Sequence, residues 1–248
     1  MSAMFFTYAW ASSPERLAVA AAVTVCFALL ALILRGVSRS GAWAGGVACF
    51  ALFANAGPGA FAALGALFAA TWASTRLGYR RKQELGVAER REGRSASQVL
   101  ANLAVASGAA LFFGATGNRA WLVIIAATLA EAATDTVASE VGQSVGRNAW
   151  MITSGTRVPA GTDGGITFSG TIAGLAAGLA TALVAVGCGI VGWREMWIPV
   201  VAGFVGMLAD SVMGGTIQRR GWISNQGVNF VATVIAAATG YGIFMAAK

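Results

Sequence analysis

Histidine is absent from the 248 residues, and charged side chains make up only 11% of them. The first absence excludes phosphohistidine, catalytic-imidazole and histidine-ligated metal mechanisms. The second is less than half of the roughly 25% that is usual in soluble domains. The three cysteines, Cys26, Cys49 and Cys188, lie singly in apolar runs, so neither a disulfide framework nor a zinc site is predicted.

Apolar residues dominate the chain, with 57% hydrophobic side chains and a mean hydropathy of +0.69. About 20 apolar residues cross the hydrocarbon core of a bilayer. The sequence therefore predicts one all-α integral membrane domain over residues 1–248, a polytopic helix bundle of about seven or eight crossings. The apolar runs place the crossings near 15–35, 41–57, 58–79, 97–115, 119–141, 165–191, 195–217 and 227–247.

Two of these crossings are separated only by a short turn. Residues 41–57 and 58–79 meet at Asn55-Ala56-Gly57-Pro58-Gly59, so two full crossings and a short re-entrant pair both fit the pattern. Residues 1–12 are too short for a crossing and have no basic start of the kind found in signal peptides.

Basic residues divide unevenly between the two sides of this arrangement. Thirteen of the seventeen fall on one set of loops, and the other set has Arg16, Arg119, Arg194 and Lys248. The positive-inside rule places the first set in the cytoplasm and both termini outside, so the net charge of +7 indicates membrane orientation rather than nucleic-acid binding. The cytoplasmic side also receives the three longest polar connections, near 80–96, 142–164 and 218–226.

Four carboxylates lie within or at the ends of predicted crossings: Glu131, Asp135, Glu140 and Asp210. An acidic side chain at the centre of a membrane helix costs about 2.5–3.5 kcal/mol on insertion scales, so these side chains are expected to face the bundle interior or a wet cavity. Glu131 and Asp135 are four residues apart and share a helix face, whereas Glu140 lies nearer the cytoplasmic end.

Two crossings repeat one acidic pattern. Gln143 follows Asp135 by eight residues, and Gln218 follows Asp210 by the same spacing. Both crossings run in the same direction, so the two aspartates are expected at a similar depth. Like charges at one depth repel unless a cation lies between them, and carboxylate oxygens are ligands that suit Mg²⁺. We predict a magnesium site at Asp135, Asp210 and Glu140; the alternative is that these acids hydrogen-bond neighbouring side chains and pin the bundle.

Uncharged polar side chains lie at the same cytoplasmic depth. Two amide pairs open the crossings at 97–115 and 227–247, and a serine lies beside or near each aspartate. We predict polar support of the site from Gln98, Asn102, Ser139, Ser211, Asn225 and Asn229. Interhelical hydrogen bonding is the commoner use of such residues in membranes.

A threonine- and glycine-rich segment over residues 153–165 leads into the crossing at 165–191. Pro159 ends any helix here, and the glycines allow backbone N–H groups to approach a ligand. The positive end of the next helix would face that ligand. We predict nucleotide contacts from Arg157, Gly161, Thr162, Asp163, Gly164 and Gly165, although a plain connector of this composition is the alternative.

Seven basic residues lie between Arg76 and Arg94 on the same side. An anionic-lipid anchor would explain them, at about 1 kcal/mol for each residue near the surface. A nucleoside triphosphate would use a few of them as fixed contacts. We predict nucleotide contacts from Arg80 and Lys82. Arg94, the nearest to the membrane, joins Asp135, Asp210 and Glu140 as a predicted catalytic residue.

Seven segments in order carry a family resemblance: Gly86–Glu89, Gly93-Arg94, Gln98–Asn102, Asp135–Gly142, Val158–Gly165, Asp210-Ser211 and Asn225–Asn229. Over about residues 35–245 the sequence resembles the integral-membrane family that includes plant and cyanobacterial phytyl-phosphate kinases and transmembrane protein 19. The resemblance implies a CTP- and Mg²⁺-dependent kinase that converts an isoprenyl monophosphate to the diphosphate. For a bacterial protein it implies the inner membrane, with the active face cytoplasmic. Thr156 departs from the family pattern, where a basic residue is frequent, and Arg157 would substitute for it.

Two other functions remain open at this stage. An ion-coupled transporter also places acids within membrane helices, but inverted repeats would be expected there, and the likeness between 119–141 and 195–217 is parallel and local. A cytidylyltransferase that forms a CDP-lipid would use the same substrates and release pyrophosphate. The residues do not distinguish the nucleotide base, the lipid chain length or the oligomeric state.

Overall fold

The computed structural model describes residues 14–145 and 148–247. Residues 1–12, which were expected not to form a crossing, and the basic residues Arg147 and Lys248 lie outside the described part. The described chain forms eight α-helices: α1 Pro14–Ile33, α2 Arg39–Arg76, α3 Tyr79–Glu84, α4 Ala96–Thr116, α5 Ala120–Val145, α6 Phe168–Gly187, α7 Trp197–Met213 and α8 Asn225–Ala246. Among the described residues, seven helical segments are long and apolar enough to span a membrane. The predicted polytopic helix bundle is confirmed.

Helix α2 is a hairpin of two antiparallel limbs. Gly57 has φ 83° and ψ −176°, which turns the chain between residues 39–56 and 58–76. The start and the end of α2 lie at the same side of the bundle: the Ser38 N–H donates to Arg94 O at 3.0 Å, and the Trp72 indole N–H donates to Leu34 O at 3.1 Å. Each limb rises about 27 Å, close to the thickness of the hydrocarbon core, which favours two crossings over a short re-entrant pair.

We call one side of the bundle the basic face; it is formed by residues 34–41, 72–95, 140–145, 148–167 and 214–225. Contacts between these segments define it, including the Ser144 hydroxyl, which donates to Leu77 O at 2.6 Å, and Gly164, which packs against Gly215. At the opposite face Arg119 pairs with Glu195 at 3.3 Å. The alternation of loops between two sides agrees with the predicted crossings.

Helix α5 is the centre of the bundle, where it contacts α2, α4, α6, α7 and α8. Close approach depends on glycines in its neighbours. Gly174 of α6 packs against the Thr134 carbonyl, and Gly203 of α7 packs against the Ala130 backbone. Small residues at such positions let membrane helices pack closely and gain van der Waals contact. The acids of α5 are therefore held in a tightly packed interior.

A small sheet and an irregular turn depart from the expectation of helices alone. Strands β1 Ala149–Met151, β2 Arg157–Val158 and β3 Gly165–Ile166 pair antiparallel in the order β2-β1-β3. The sheet holds the segment 153–165 at the basic face. Helix α7 ends in a π-helical turn at Gly214–Gln218, and this turn contacts the same segment.

Candidate functional site

Three adjoining cavities open at the basic face. The apolar groove, about 280 Å³, lies between α1, both limbs of α2, α4 and α5, with residues 89–94 at its mouth. The central cavity, about 340 Å³, is lined by residues 87–90, Arg94, the first turns of α4 and α8, and the end of α5. The loop cavity, about 120 Å³, lies between residues 161–165, α5 and α7.

The cavities share walls. Six residues line both the apolar groove and the central cavity: Glu89, Arg90, Arg94, Gln98, Asn102 and Thr136. Gln143 and Asn225 line both the central cavity and the loop cavity. An apolar compartment thus adjoins a polar one along a wall of Arg and amide side chains.

Arg94 is fixed at this shared wall by its backbone. Its N–H donates to Gly36 O at 3.2 Å, and Gly93, with φ 85°, lies so close to Gly36 that a Cβ would approach the Gly36 carbonyl carbon to 2.6 Å. The Arg94 guanidinium donates to the Thr136 hydroxyl at 3.4 Å and lies 3.7 Å from Glu140. The structure therefore places Arg94 at the site, and its catalytic role stays a prediction.

The amides at the start of α4 hold the neighbouring loop. Gln98 Oε1 accepts the Ser95 N–H at 2.8 Å, and Gln98 Nε2 donates to Glu89 Oε2 at 2.8 Å. The Tyr79 hydroxyl donates to the Glu89 carbonyl at 2.9 Å, and Asn102 Nδ2 donates to Gln98 O at 2.9 Å. Glu89 was not among the predicted site residues, although it belongs to the Gly86–Glu89 segment of the family pattern.

Asp135 and Asp210 converge from α5 and α7. The two helices pack against each other, and Asp210 lines the loop cavity together with Asp163. The Asn229 amide, with its nitrogen turned toward α7, donates to Asp210 Oδ2 at 3.2 Å. Asp135 is buried, and it lies within range of the positive charge of Arg94. The shared site expected from the repeated spacing, and metal binding by the two aspartates, stay predictions.

Glu140 and Lys82 require a correction. Lys82 Nζ, fully buried, donates to Ser74 O at 3.0 Å, to Thr75 O at 2.7 Å and to Glu140 Oε2 at 2.5 Å. The Thr75 hydroxyl donates to the other carboxylate oxygen of Glu140 at 2.9 Å. Lys82 thus has no donor left for a nucleotide, and Glu140 is paired with cations instead of joining the two aspartates. Within residues 14–145 and 148–247, no group of three or more acidic or cysteine side chains forms a metal site.

The glycine-rich segment borders the loop cavity, and its contact with a nucleotide stays a prediction. Residues 161–165 line it together with Ser139, Asp210, Ser211 and Asn225. The Gly165 N–H donates to Thr162 O at 2.8 Å in a tight turn. Gly164, with φ 78°, packs directly on Gly215 of the π-helical turn. Thr167 caps the start of α6 by accepting the Gly170 N–H at 3.0 Å, so the helix begins beside this cavity.

Besides Lys82, two predicted nucleotide contacts lie away from the cavities. Arg157 on β2 stacks over the Trp150 ring at 5.0 Å from its centroid, and Arg80 is exposed on α3. Neither residue borders the three cavities. The sequence showed only that both belong to the basic face, because the direction of a side chain from a loop or a two-residue strand depends on tertiary contacts.

Comparisons with known proteins agree with the membrane fold. A family model described as Integral membrane protein DUF92 matches residues 22–237. Uncharacterized membrane protein sll0875 of Synechocystis is 35% identical over a stretch that covers 69% of this chain and 68% of the relative. Protein VTE6, chloroplastic, of Arabidopsis thaliana is 28% identical over a stretch that covers 81% of this chain and 63% of the relative. Uncharacterized membrane protein MJ0933 of Methanocaldococcus jannaschii is 32% identical over 47% and 49%. No solved structure matches the chain.

Proposed function

The chain belongs to the Integral membrane protein DUF92 family, and from that premise we propose that it is a CTP-dependent kinase of isoprenyl monophosphates. The reaction would take place at the cytoplasmic membrane face and yield the isoprenyl diphosphate. Support comes from the similarity to Protein VTE6, chloroplastic, and from the resemblance of the sequence motifs to phytyl-phosphate kinases.

The wall that the apolar groove shares with the central cavity carries this proposal. A kinase with a lipid acceptor needs an apolar compartment for the chain and a polar one for the nucleotide, and both must reach the same phosphorus. Arg94, Gln98 and Asn102 face both compartments. We assign the acceptor phosphate to this wall and the nucleotide triphosphate to the central and loop cavities.

Two carboxylates that line the loop cavity, Asp163 and Asp210, and the buried Asp135 of α5, which lines none of the three cavities, could hold a magnesium ion. Mg²⁺ is usually held in kinases by one or two carboxylates together with substrate phosphates and waters. Asp135 and Asp210 supply such a pair, with Asp163 near Asp210, whereas Glu140 is excluded by Lys82. Bound there, the ion would neutralise charge on the β- and γ-phosphates.

The side chains of the protein would position the reactants. An oxygen of the isoprenyl monophosphate attacks the γ-phosphorus of CTP, the bond between that phosphorus and the bridging oxygen breaks, and CDP leaves. Arg94 would hold the acceptor phosphate by charge-assisted hydrogen bonds. The turn at residues 161–165 would offer the nucleotide its backbone N–H groups other than those of Thr162 and Gly165, which donate within the turn. A phosphate oxygen is already ionised at neutral pH, so the reaction needs positioning more than a general base.

The test is a turnover assay on purified protein in detergent with phytyl monophosphate, CTP and Mg²⁺. We expect CDP and phytyl diphosphate in equal amounts. Asp135→Asn, Asp210→Asn and Arg94→Ala should each lower kcat about 100-fold or more, as does loss of one transition-state contact in other enzymes. Arg80→Ala, which removes an exposed charge outside the cavities, should retain full activity and serves as the control.

Two results would contradict the kinase, and two others would revise its mechanism. Release of pyrophosphate with a CDP-lipid would indicate a cytidylyltransferase, and uptake driven by an ion gradient without nucleotide turnover would indicate a transporter. Full activity of both aspartate variants would remove the paired acids from the mechanism. Turnover that persists after complete chelation of Mg²⁺ would exclude the metal.

A further inference from the structure

The apolar groove has a basic mouth and an aromatic floor. Along the second limb of α2 it extends from Arg76 to Leu64, twelve residues apart, which corresponds to a depth of about 18 Å. Arg35, Arg90, Arg91 and Arg94 also border it at the basic face. Arg35 has φ 50°, the left-handed conformation of a helix C-cap, and the Gly36 N–H donates to Ala31 O at 2.9 Å, which ends α1 at the mouth of the groove.

One wall of the groove consists of very small residues. Gly41, Ala42, Gly45 and Gly46 of α2 face it. A Cβ added at Gly45 would have its nearest neighbour, Val99 Cγ1, at 3.8 Å, so the backbone here leaves room for a methyl group. Such recesses fit a branched hydrocarbon chain better than a smooth wall does.

The floor of the groove is closed by phenylalanine rings. Phe27 of α1 lines the groove, and its ring contacts Phe61 and Phe68 edge to face, at centroid distances of 5.3 and 5.2 Å. Phe61 in turn packs against Phe53 at 5.8 Å. A chain that enters from the basic face therefore meets Phe27 and Leu64 at its far end.

We propose that this groove binds the branched prenyl chain of the acceptor, and that Phe27 limits the length of the chain. This inference rests on the proposed function and specifies its lipid substrate. The arginines at the mouth complement the phosphate head, the glycine wall accommodates the methyl branches, and the ring of Phe27 stops the distal end. A straight-chain phospholipid from the bilayer is the occupant that the experiment must distinguish.

Binding is measured without turnover, as the rise in apparent unfolding temperature of the detergent-purified protein with geranyl, farnesyl and geranylgeranyl monophosphates. Dodecyl phosphate, whose main chain has as many carbons as farnesyl phosphate, tests the preference for branches. We expect affinity to increase with isoprene units until the chain reaches Phe27, and farnesyl phosphate to bind more tightly than dodecyl phosphate.

Gly45→Leu should block the groove and lower the affinity for geranylgeranyl phosphate at least tenfold, because each excluded methylene lowers the affinity about fourfold. Gly65→Leu is the matched control on the other limb of α2, where a Cβ meets no neighbour within 4 Å, and it should bind as the native protein does. Phe27→Ala should extend the length of chain that still gains affinity, whereas Phe53→Ala removes a ring of the same cluster that does not line the groove and should not.

Equal binding of geranylgeranyl phosphate by Gly45→Leu and the native protein would overturn the proposal, as would equal binding of dodecyl and farnesyl phosphates. If Gly45→Leu does not fold, an unchanged length limit in Phe27→Ala overturns the claim about the floor. Binding that follows these variants while CTP yields no CDP would leave the groove intact and reject the kinase.

Discussion

Lys82 and Glu140 join three segments beside the site by a buried ion pair. Breaking such a pair from one side leaves an uncompensated buried charge, at a cost of about 3–5 kcal/mol. Because Arg94 still lies 3.7 Å from Glu140, we expect Lys82→Met to lower the free energy of unfolding by less than this amount, measured by denaturant unfolding in detergent. The double variant Lys82→Met/Glu140→Leu should be less destabilised than Lys82→Met alone. Equal stability of Lys82→Met and the native protein would show that the pair contributes nothing.

Gly164 determines how closely the loop of residues 161–165 approaches α7. It has φ 78°, and a side chain there would collide with the backbone of Gly215. Gly164→Ala should therefore displace the loop and raise KM for CTP at least tenfold while the KM for the lipid changes little.

The matched control for this prediction is Gly155→Ala in the same connection. Gly155 also has positive φ, 66°, but no atom lies within 4 Å of its Cβ position, so both variants share the left-handed cost of about 1–2 kcal/mol. Only Gly164→Ala should change the KM for CTP. The same change in both variants would attribute the effect to backbone strain alone.

Whether a site residue could be predicted from the sequence depends on how far away in the sequence its partner lies. The aspartates could be predicted because each is followed by a glutamine at the same spacing on helices of the same direction, and membrane cost forces both inward. The ion pair could not be predicted, because Lys82 and Glu140 are 58 residues apart and only the docking of α3 against α5 brings them together. Without that contact, Lys82 was one cation among seven.

Among the elements, the hairpin of α2 depends on a single glycine. Gly57 has φ 83° and ψ −176°, a region that only glycine occupies without a large steric cost. Gly57→Ala should force the two limbs apart and lower the apparent unfolding temperature, as measured by circular dichroism. Gly65→Ala, a helical glycine on the second limb with no nearby atoms, should instead stabilise by up to about 1 kcal/mol. A thermally neutral Gly57→Ala would contradict the single-glycine hinge.

Elements of a few residues were the ones that sequence patterns missed. The turn at Asn55–Gly59 was visible in the sequence, but whether it joined two crossings depended on the contacts of Leu34 with Trp72 and of Ser38 with Arg94. The strands β1 to β3 have two or three residues each, too few for an alternating pattern. The π-helical turn at Gly214–Gln218 is stabilised by the loop that packs on it, and local sequence carries no signal for it.

For the whole molecule, the orientation in the membrane is a testable expectation. The positive-inside rule puts the basic face in the cytoplasm and the turn after α6 outside. Cys188 lies in that turn and is exposed, whereas Cys49 is buried. In a Cys26→Ser background, a membrane-impermeant maleimide should label Cys188 only from the outer side of sealed vesicles.

The control for orientation is a single cysteine on the other side. Arg80→Cys in a background with Cys26 and Cys188 replaced by serine presents a thiol on exposed α3. It should react only when the reagent reaches the cytoplasmic side. Reversed labelling of the two proteins would place the basic face outside and would separate the site from cellular nucleotides.

Because the apolar groove and the central cavity share one wall, the isoprenyl diphosphate product of the proposed reaction would occupy both of them. Its chain would remain where the acceptor's chain lay, while its added phosphoryl group would occupy the place of the nucleotide's terminal one. Accumulated diphosphate should therefore inhibit against either reactant. The rate of the reaction would then depend on product removal, since the enzyme would stay inhibited until another enzyme consumes the diphosphate in the bilayer.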